Sequence, residues 1–380
     1  MTDIEVDASL GLLALVPLEP PNTPITTTIH VAKSDGDILL VLGDRETRLC
    51  VSSVILSSAS PVFKTMLGPD FLEGQDDRSA QNPKRISLPD DDVNAMVRLC
   101  RLIHHQDNMP TTPHDKGSLA GGAEQLLALM IVADKYGCLD SIRFAGEYML
   151  FSSASVSASL DPSMETLLHL VAAAYILNNS RHFALFTRKL VLDTPRSYSS
   201  VINCPALGML PGELLRECFP RLGDEQTVLT LSVVLLEEQR KAATNTLRFE
   251  LPALAEQRCY RNGCGRTGTD LTFANALARE INSHRREMYW PPHDNYWSLR
   301  DLLKQTFHCG DVSIHLATGC RHEHDYEHKV GSETLKSLCN KISKIACGLC
   351  LNCLEDDNTD PNACTHRHLL EQWINNDPIS

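Results

Sequence analysis

The sequence predicts an α+β, mostly α chain: a short N-terminal β-sheet with helical hairpins, then an all-helical region and a Cys/His-rich helical C-terminal unit. Three observations predict it. Two short apolar runs, Asp37 to Gly43 and Thr47 to Val51, flank the polar triplet Asp44-Arg45-Glu46. From Val93 onward, apolar residues recur three and four apart, the period of a helix packed on one face. Finally, nine of the fourteen cysteines and nine of the fifteen histidines follow Leu251, so composition changes in the last third.

Residues 1–32 carry Pro17, Pro20, Pro21 and Pro24, which break any periodicity and predict a disordered tail. Order is expected from Asp35, with the two apolar runs pairing as a hairpin. Ser52 or Ser53 can cap a helix through Ala59. Ser60-Pro61 restarts one, with serine at the cap and proline where its missing N–H costs nothing. A short strand over Arg85–Leu88 precedes Asp90-Asp91-Asp92, carboxylates that read as caps on a helix bearing Val93, Met96, Val97 and Cys100 rather than as metal ligands. A loop over 106–122 leads to a helix over Glu124–Tyr136 that stops at Gly137, and a last helix runs from Leu139 to Phe151. Ser152–Ser159 reads as a linker. Beyond it, Leu167, Leu170, Val171, Ala174 and Leu177 mark one helix, Phe183, Phe186 and Leu190 a second, and Val228–Gln239 a third. The expected units are therefore 1–32, 33–152, 161–250 and 251–380.

Composition removes several function classes. With 43% hydrophobic and 22% charged residues the chain is ordinary globular material. A net charge of -13 repels a phosphate backbone, and the one short basic candidate, Arg279–Arg286, is diluted by Glu280 and reads as a solvated helix face. No nucleic-acid partner is expected. The apolar run Leu10–Leu18 precedes the first basic residue, Lys33, and so lacks the flank a secretory signal requires. The longest later run, Leu126–Val132, falls far short of the roughly 18 apolar residues of a membrane span. The expectation is an intracellular protein, cytoplasmic or nuclear and not bound to membrane, whose cysteines stay reduced or ligate metal.

The order strand, strand, helix pair, strand, helix, helix pair over residues 35–151 resembles the BTB/POZ fold. The string Val51 to Phe63 (VSSVILSSASPVF) looks like that family's pattern of an apolar pair, a spacer, then Ser and Phe. Asp35-Gly36-Asp37-Ile38-Leu39-Leu40, Ile86-Ser87-Leu88-Pro89-Asp90 and Ala133-Asp134-Lys135-Tyr136 complete the set. The wording is most similar to the BTB proteins of filamentous fungi, in which a helical, cysteine-bearing tail follows. The resemblance makes 33–152 a BTB/POZ domain and implies protein binding: homo- or hetero-oligomers through that domain and, in some members, docking on a cullin scaffold as a ubiquitin-ligase adaptor. Cullin-binding members place an apolar residue, any residue, then Glu after the first helix pair, and Phe71-Leu72-Glu73 stands there as the partner-binding candidate. The alternative is Phe71 packed on its own domain and Glu73 solvated. One departure is clear: Ser52 and Ser53 replace the His and basic residue of many animal members, so Asp37 loses that partner and is left to cap or turn the chain.

Cys347, Cys350 and Cys353 form C-x2-C-x2-C, and Cys259 and Cys264 form C-x4-C, both spacings that suit tetrahedral zinc. Leu335, Leu338, Ile342, Ile345 and Leu349 mark a helical stripe that Cys347 and Cys350 would miss, by about 160° and 100° from Leu349. Unless Gly348 ends the helix they are neither core nor paired; a turn there is what a knuckle needs. Structural zinc would take Cys259, Cys264, Cys347 and Cys350, with Cys353 or Cys320 as substitutes; unligated thiols are the alternative. Cys364, His366 and His368 read as a solvated end, and the ferredoxin run lacks its fourth cysteine and proline.

An enzymatic alternative exists. His324-Asp325-Tyr326-Glu327-His328 spells the H-x-x-E-H of inverted zinc proteases, a zinc hydrolase carried by His324, Glu327 and His328. That chemistry needs a packed helix, and between Gly319 and Gly331 only Tyr326 and Val330 are large and apolar, so a polar loop is expected. Gly263–Gly268 spells G-x-G-x-x-G without a preceding strand, and no G-x-S-x-G occurs. No catalytic residues are assigned, and the chain is read as an interaction protein.

Overall fold

The computed structural model describes residues 28–32, 35–75, 78–106, 119–159, 162–194, 236–247, 249–250, 298–301, 303, 314–315, 327–328 and 332–351. These residues form a mostly helical α+β fold with a small N-terminal mixed sheet followed by helices. β1 (Thr28–His30), β2 (Ile38–Leu42), β3 (Thr47–Val51) and β4 (Lys84–Leu88) lie in the order β1-β3-β2-β4. β2 and β3 are the expected hairpin, pairing antiparallel from Ile38–Val51 to Leu42–Thr47; β4 adds to β2 in parallel, and β1 to β3 in parallel. Alternation buries Ile38, Leu40, Leu42, Leu49 and Val51 against the helices.

β1 corrects the end of the tail assigned to residues 1–32, of which residues 1–27 lie outside the described residues. Thr28–His30 pair with Arg48–Cys50, and Val31 and Ala32 both donate to Cys50 O, so order begins before Asp35. Neither proline nor charge interrupts Thr28–Ala32, and β-branched Thr28, Ile29 and Val31 suit a strand.

α1 (Ser53–Ala59) and α2 (Pro61–Met66) follow β3, then α3 (Leu72–Gln75). The Ser60-Pro61 reading is correct: Ser60 Oγ accepts from Phe63 N–H at 2.9 Å, with Pro61 in the first turn. α4 (Val93–Ile103) is capped by Asp92, which accepts from Ala95 N–H at 2.7 Å. α5 spans Leu119–Lys135, beginning before the expected Glu124. Gly121 and Gly122 are tolerated because Leu119 and Ala123 on either side are buried. The serine-rich stretch is also not a linker: α6 runs unbroken from Leu139 to Ser159. Ser153 and Ser157, four residues apart, are fully buried, and serines that small let neighbouring helices approach closely. Exposed Ser155 satisfies its hydroxyl on Phe151 O, a back-bond that removes its preference for a turn.

α7 (Met164–Ile176) and α8 (Ser180–Asp193) carry the two expected stripes. α7 packs on both α5 and α8 and is buried almost all round, including Leu168, Ala172 and Ala173 off the stripe. One apolar core therefore continues from Val31 through these helices to helix 236–247, Leu299, Leu303 and α9 (Ser332–Ile345). Two further strands, β5 (Ile314–His315) and β6 (Glu327–His328), pair antiparallel. Among the described residues no helix is long and apolar enough to cross a membrane.

Three buried histidines predict acid sensitivity. His104 accepts from Ser52 N–H at 3.0 Å through Nε2 and bonds Cys100 O through Nδ1, holding α4 to α1 in a neutral tautomer. Burial lowers its pKa and that of His169, and burial with the Arg181 charge lowers that of His182 from 6.5 to about 4. A depressed histidine means the unfolded chain binds more protons, so this stability is complete above pH 6.5 and falls as pH drops towards 4. His182 alone accounts for about 3 kcal/mol. Urea midpoints across that pH range will fall, and His182→Gln will flatten the slope.

Candidate partner-binding site

The short helix α3 sits on a backbone held from several sides. Phe71 N–H bonds Gly68 O at 3.3 Å, Gly74 N–H bonds Phe71 O at 2.9 Å, and Lys84 Nζ from β4 donates to Leu72 O at 2.6 Å. Arg78 reaches back to Leu67 O at 3.4 Å. Gly74 is required by contact: a Cβ there would stand 1.8 Å from Gly68 O and 2.7 Å from Leu67 O, both backbone atoms that cannot step aside. The result is a fixed turn with its apolar side chains outward. Phe71 is 46% and Leu72 76% exposed, with Glu73 half-buried. Thus Phe71 does not pack fully on its own domain, and the apolar pair faces water beside a carboxylate.

Two neighbouring helices also present apolar side chains, Val54 from α1 and Val62 from α2. Below them, the sequence strings of the N-terminal region meet in one network. Ser60 Oγ, besides capping α2, donates to Tyr136 O, and the Tyr136 ring stacks on Phe63 with centroids 4.4 Å apart. Tyr136 Oη donates to Asp91 Oδ2, and Lys135 Nζ to Asp91 Oδ1 at 2.6 Å. Burial, then the hydrogen bond and charge of Asp91, push the Tyr136 hydroxyl far above its ordinary value, fixing it as a donor. Asp91 is therefore a buried acceptor, a role that capping alone did not foresee.

Asp37 takes the expected capping role and more. Its carboxylate accepts from Ser53 N–H at 2.7 Å and Ser53 Oγ at 2.6 Å, tying β2 to the start of α1. It is not without a cation, as the sequence suggested: Arg78 Nε lies 3.6 Å away. Arg78 follows α3, so the same side chain links Asp37 to the turn that displays Phe71. Lys84, Arg78 and the Gly68–Gly74 contact had no sequence signal, because each depends on where a distant backbone atom falls.

The metal and catalytic candidates are only partly described. Cys259, Cys264, Cys320 and Cys353 lie outside the described residues, as do Cys364, His366 and His368, the run Arg279–Arg286, His324 and the run Gly263–Gly268. Cys347 and Cys350 lie in a turn after α9, half-buried, with Gly348 at φ +84°. Among the described residues no group of three or more His, Cys, Asp or Glu is placed to hold a metal ion. Glu327–His328 form a strand, not the helix that H-x-x-E-H requires, since a strand does not carry its residues round a 3.6-residue turn. Comparison of the chain with protein-family models, with curated proteins and with solved structures finds no match.

Proposed function

We propose that this chain is a protein-association module of the BTB/POZ type, which pairs with itself or another BTB domain and meets a cullin-type scaffold through Phe71-Leu72-Glu73. The observation that carries this reading is the exposed Phe71–Leu72 pair on a backbone locked by Gly74 and Lys84. Large apolar side chains displayed on a hydrogen-bonded backbone gain by burial against a partner, and less main-chain entropy is lost on doing so. Four features support the family assignment: the β3-β2-β4 order, the Ser60–Phe63 cap, the Phe63–Tyr136 stack, and the Asp91 acceptor for Lys135 and Tyr136.

Capture of purified cullin N-terminal domain by the full chain tests the scaffold contact. Phe71→Ala is expected to weaken capture by about tenfold or more, as a central apolar anchor does, and Glu73→Lys to weaken it further in low salt. Gly74→Ala should abolish capture with Phe71, Leu72 and Glu73 intact, because it dismantles the turn that presents them. Equal capture by the wild-type chain and all three variants would remove this segment from the interface.

A further inference from the structure

Two large aromatic side chains are left in water on α6. Phe144 is 83% exposed, the most of any large apolar residue among the described residues, and Phe151 is 56% exposed. They stand seven residues apart on a helix that runs unbroken from Leu139 to Ser159, so they fall within about 20° of one line, with half-buried Tyr148 about 40° to the side. The opposite side of α6, with Ile142, Met149 and Leu150, is in the core. Packing within the chain therefore uses one face of this helix and leaves an aromatic face over.

The aromatic line begins where α1 ends. Ser141 Oγ donates to Ala59 O at 2.9 Å, which seats the first turn of α6 on the last turn of α1, and Phe144 follows one turn later. A Cβ on Gly137, just before α6, would meet Pro61 at 3.0 Å, so α2 with its exposed Val62 lies against the same junction. α1 alone is too small to hold two chains together. Its seven residues span about 10 Å and expose one large apolar side chain, Val54, whereas a stable pair buries about 800 Å² on each partner. From Ser141 to Phe151, α6 adds about 15 Å of length and two aromatic rings, each able to bury about 150 Å² or more.

Charge selects the occupant. Two copies that meet about a twofold axis set the same patch against itself, so unbalanced charge on it repels. A chain of net charge -13 therefore needs a charge-poor patch to pair with itself. Ser53–Ala59 and Tyr148–Ser159 contain no charged residue, and Asp140 is balanced by Arg143 at 2.9 Å. On these two helices Glu147 alone is unbalanced, about 60° round from Phe144 and so at the edge of the line. A strongly charged partner would find little to recognise. We propose that a second copy of this chain covers the face formed by α1 and the Phe144–Phe151 line of α6. This rests on the self-pairing proposed above and extends it to a second helix.

Sedimentation equilibrium of the full chain measures the pairing. Phe144→Ala and Phe151→Ala should each raise the dissociation constant about thirtyfold or more, as loss of an aromatic anchor does, with unchanged helical circular dichroism because both side chains are exposed. Phe249→Ala, at a 76% exposed phenylalanine outside α1 and α6, should leave the constant as it is. A measurement on the unaltered chain guards against misfolded variants: under hydroxyl-radical footprinting, Phe144 and Phe151 should oxidise several-fold less at concentrations where the pair forms than where the chain is single. A single-chain mass for the unaltered chain at every concentration would remove self-pairing and this face together. A pair that Val54→Asp dissolves but both phenylalanine variants leave intact, or equal oxidation of both rings in paired and single chains, would overturn the α6 face and leave self-pairing standing.

Discussion

Asp193→Ala will lower the stability of the helical region by about 3 kcal/mol, because it strands two cations. Asp193 closes α8 and is 9% exposed, as is Lys189 one turn earlier, whose Nζ lies 3.4 Å from it. Arg300, 17% exposed, donates to its other oxygen. An aspartate at a helix C-terminus is otherwise unfavourable, so the two cations are what make it tolerable. Removing it leaves Lys189 and Arg300 with buried charge and frees the 298–303 segment, whose Leu299 and Leu303 are core residues. Asp193→Asn keeps one acceptor oxygen but turns an NH2 donor towards one of the two cations, so it should lose nearly as much, about 2 kcal/mol. Thermal melts followed by circular dichroism check both; unchanged melting for Asp193→Ala would show that the triad contributes nothing.

Asp91→Ala will cost the N-terminal fold about 2–3 kcal/mol, the price of leaving the Tyr136 hydroxyl buried without an acceptor. Tyr136 is 2% exposed and has nowhere to find water, whereas the Lys135 side chain, 52% exposed, re-solvates and adds little. Tyr136→Phe removes the donor but leaves the Asp91 carboxylate, 3% exposed, with Lys135 as its cation, and should cost about 2 kcal/mol. Once Tyr136 is Phe, Asp91→Ala should cost far less than it does alone, a coupling of about 1–2 kcal/mol in the double-mutant cycle. Additive losses would mean that the two groups are not bonded in solution.

Residues whose partners are near in sequence were legible beforehand. The hairpin over Ile38–Val51, the Ser60-Pro61 start, the helix after Asp92 and the stop at Gly137 all rest on local chemistry, and each is where the spacing put it. What failed was decided by tertiary contact. Ser152–Ser159 has the composition of a linker, but burial of Ser153 and Ser157 keeps α6 going; Thr28–His30 became a strand only because β3 offers an edge. For the candidate site, Phe71-Leu72-Glu73 was readable as a string, but its exposure and the Gly74, Arg78 and Lys84 supports were not, since they depend on backbone atoms brought close by folding. The Gly348 turn was a condition in the sequence and is a fact in the structure.

The association claim is tested most directly by the mass of the full chain in solution, measured by light scattering on a size-exclusion column across a dilution series. A mass of about twice the 42.1 kDa of one chain is expected, with Val54→Asp, a charge placed on a 75% exposed apolar position of α1, returning it to one chain mass without loss of helicity. A single-chain mass at every concentration, unchanged by Val54→Asp, would rule out self-pairing and leave only association with a different chain.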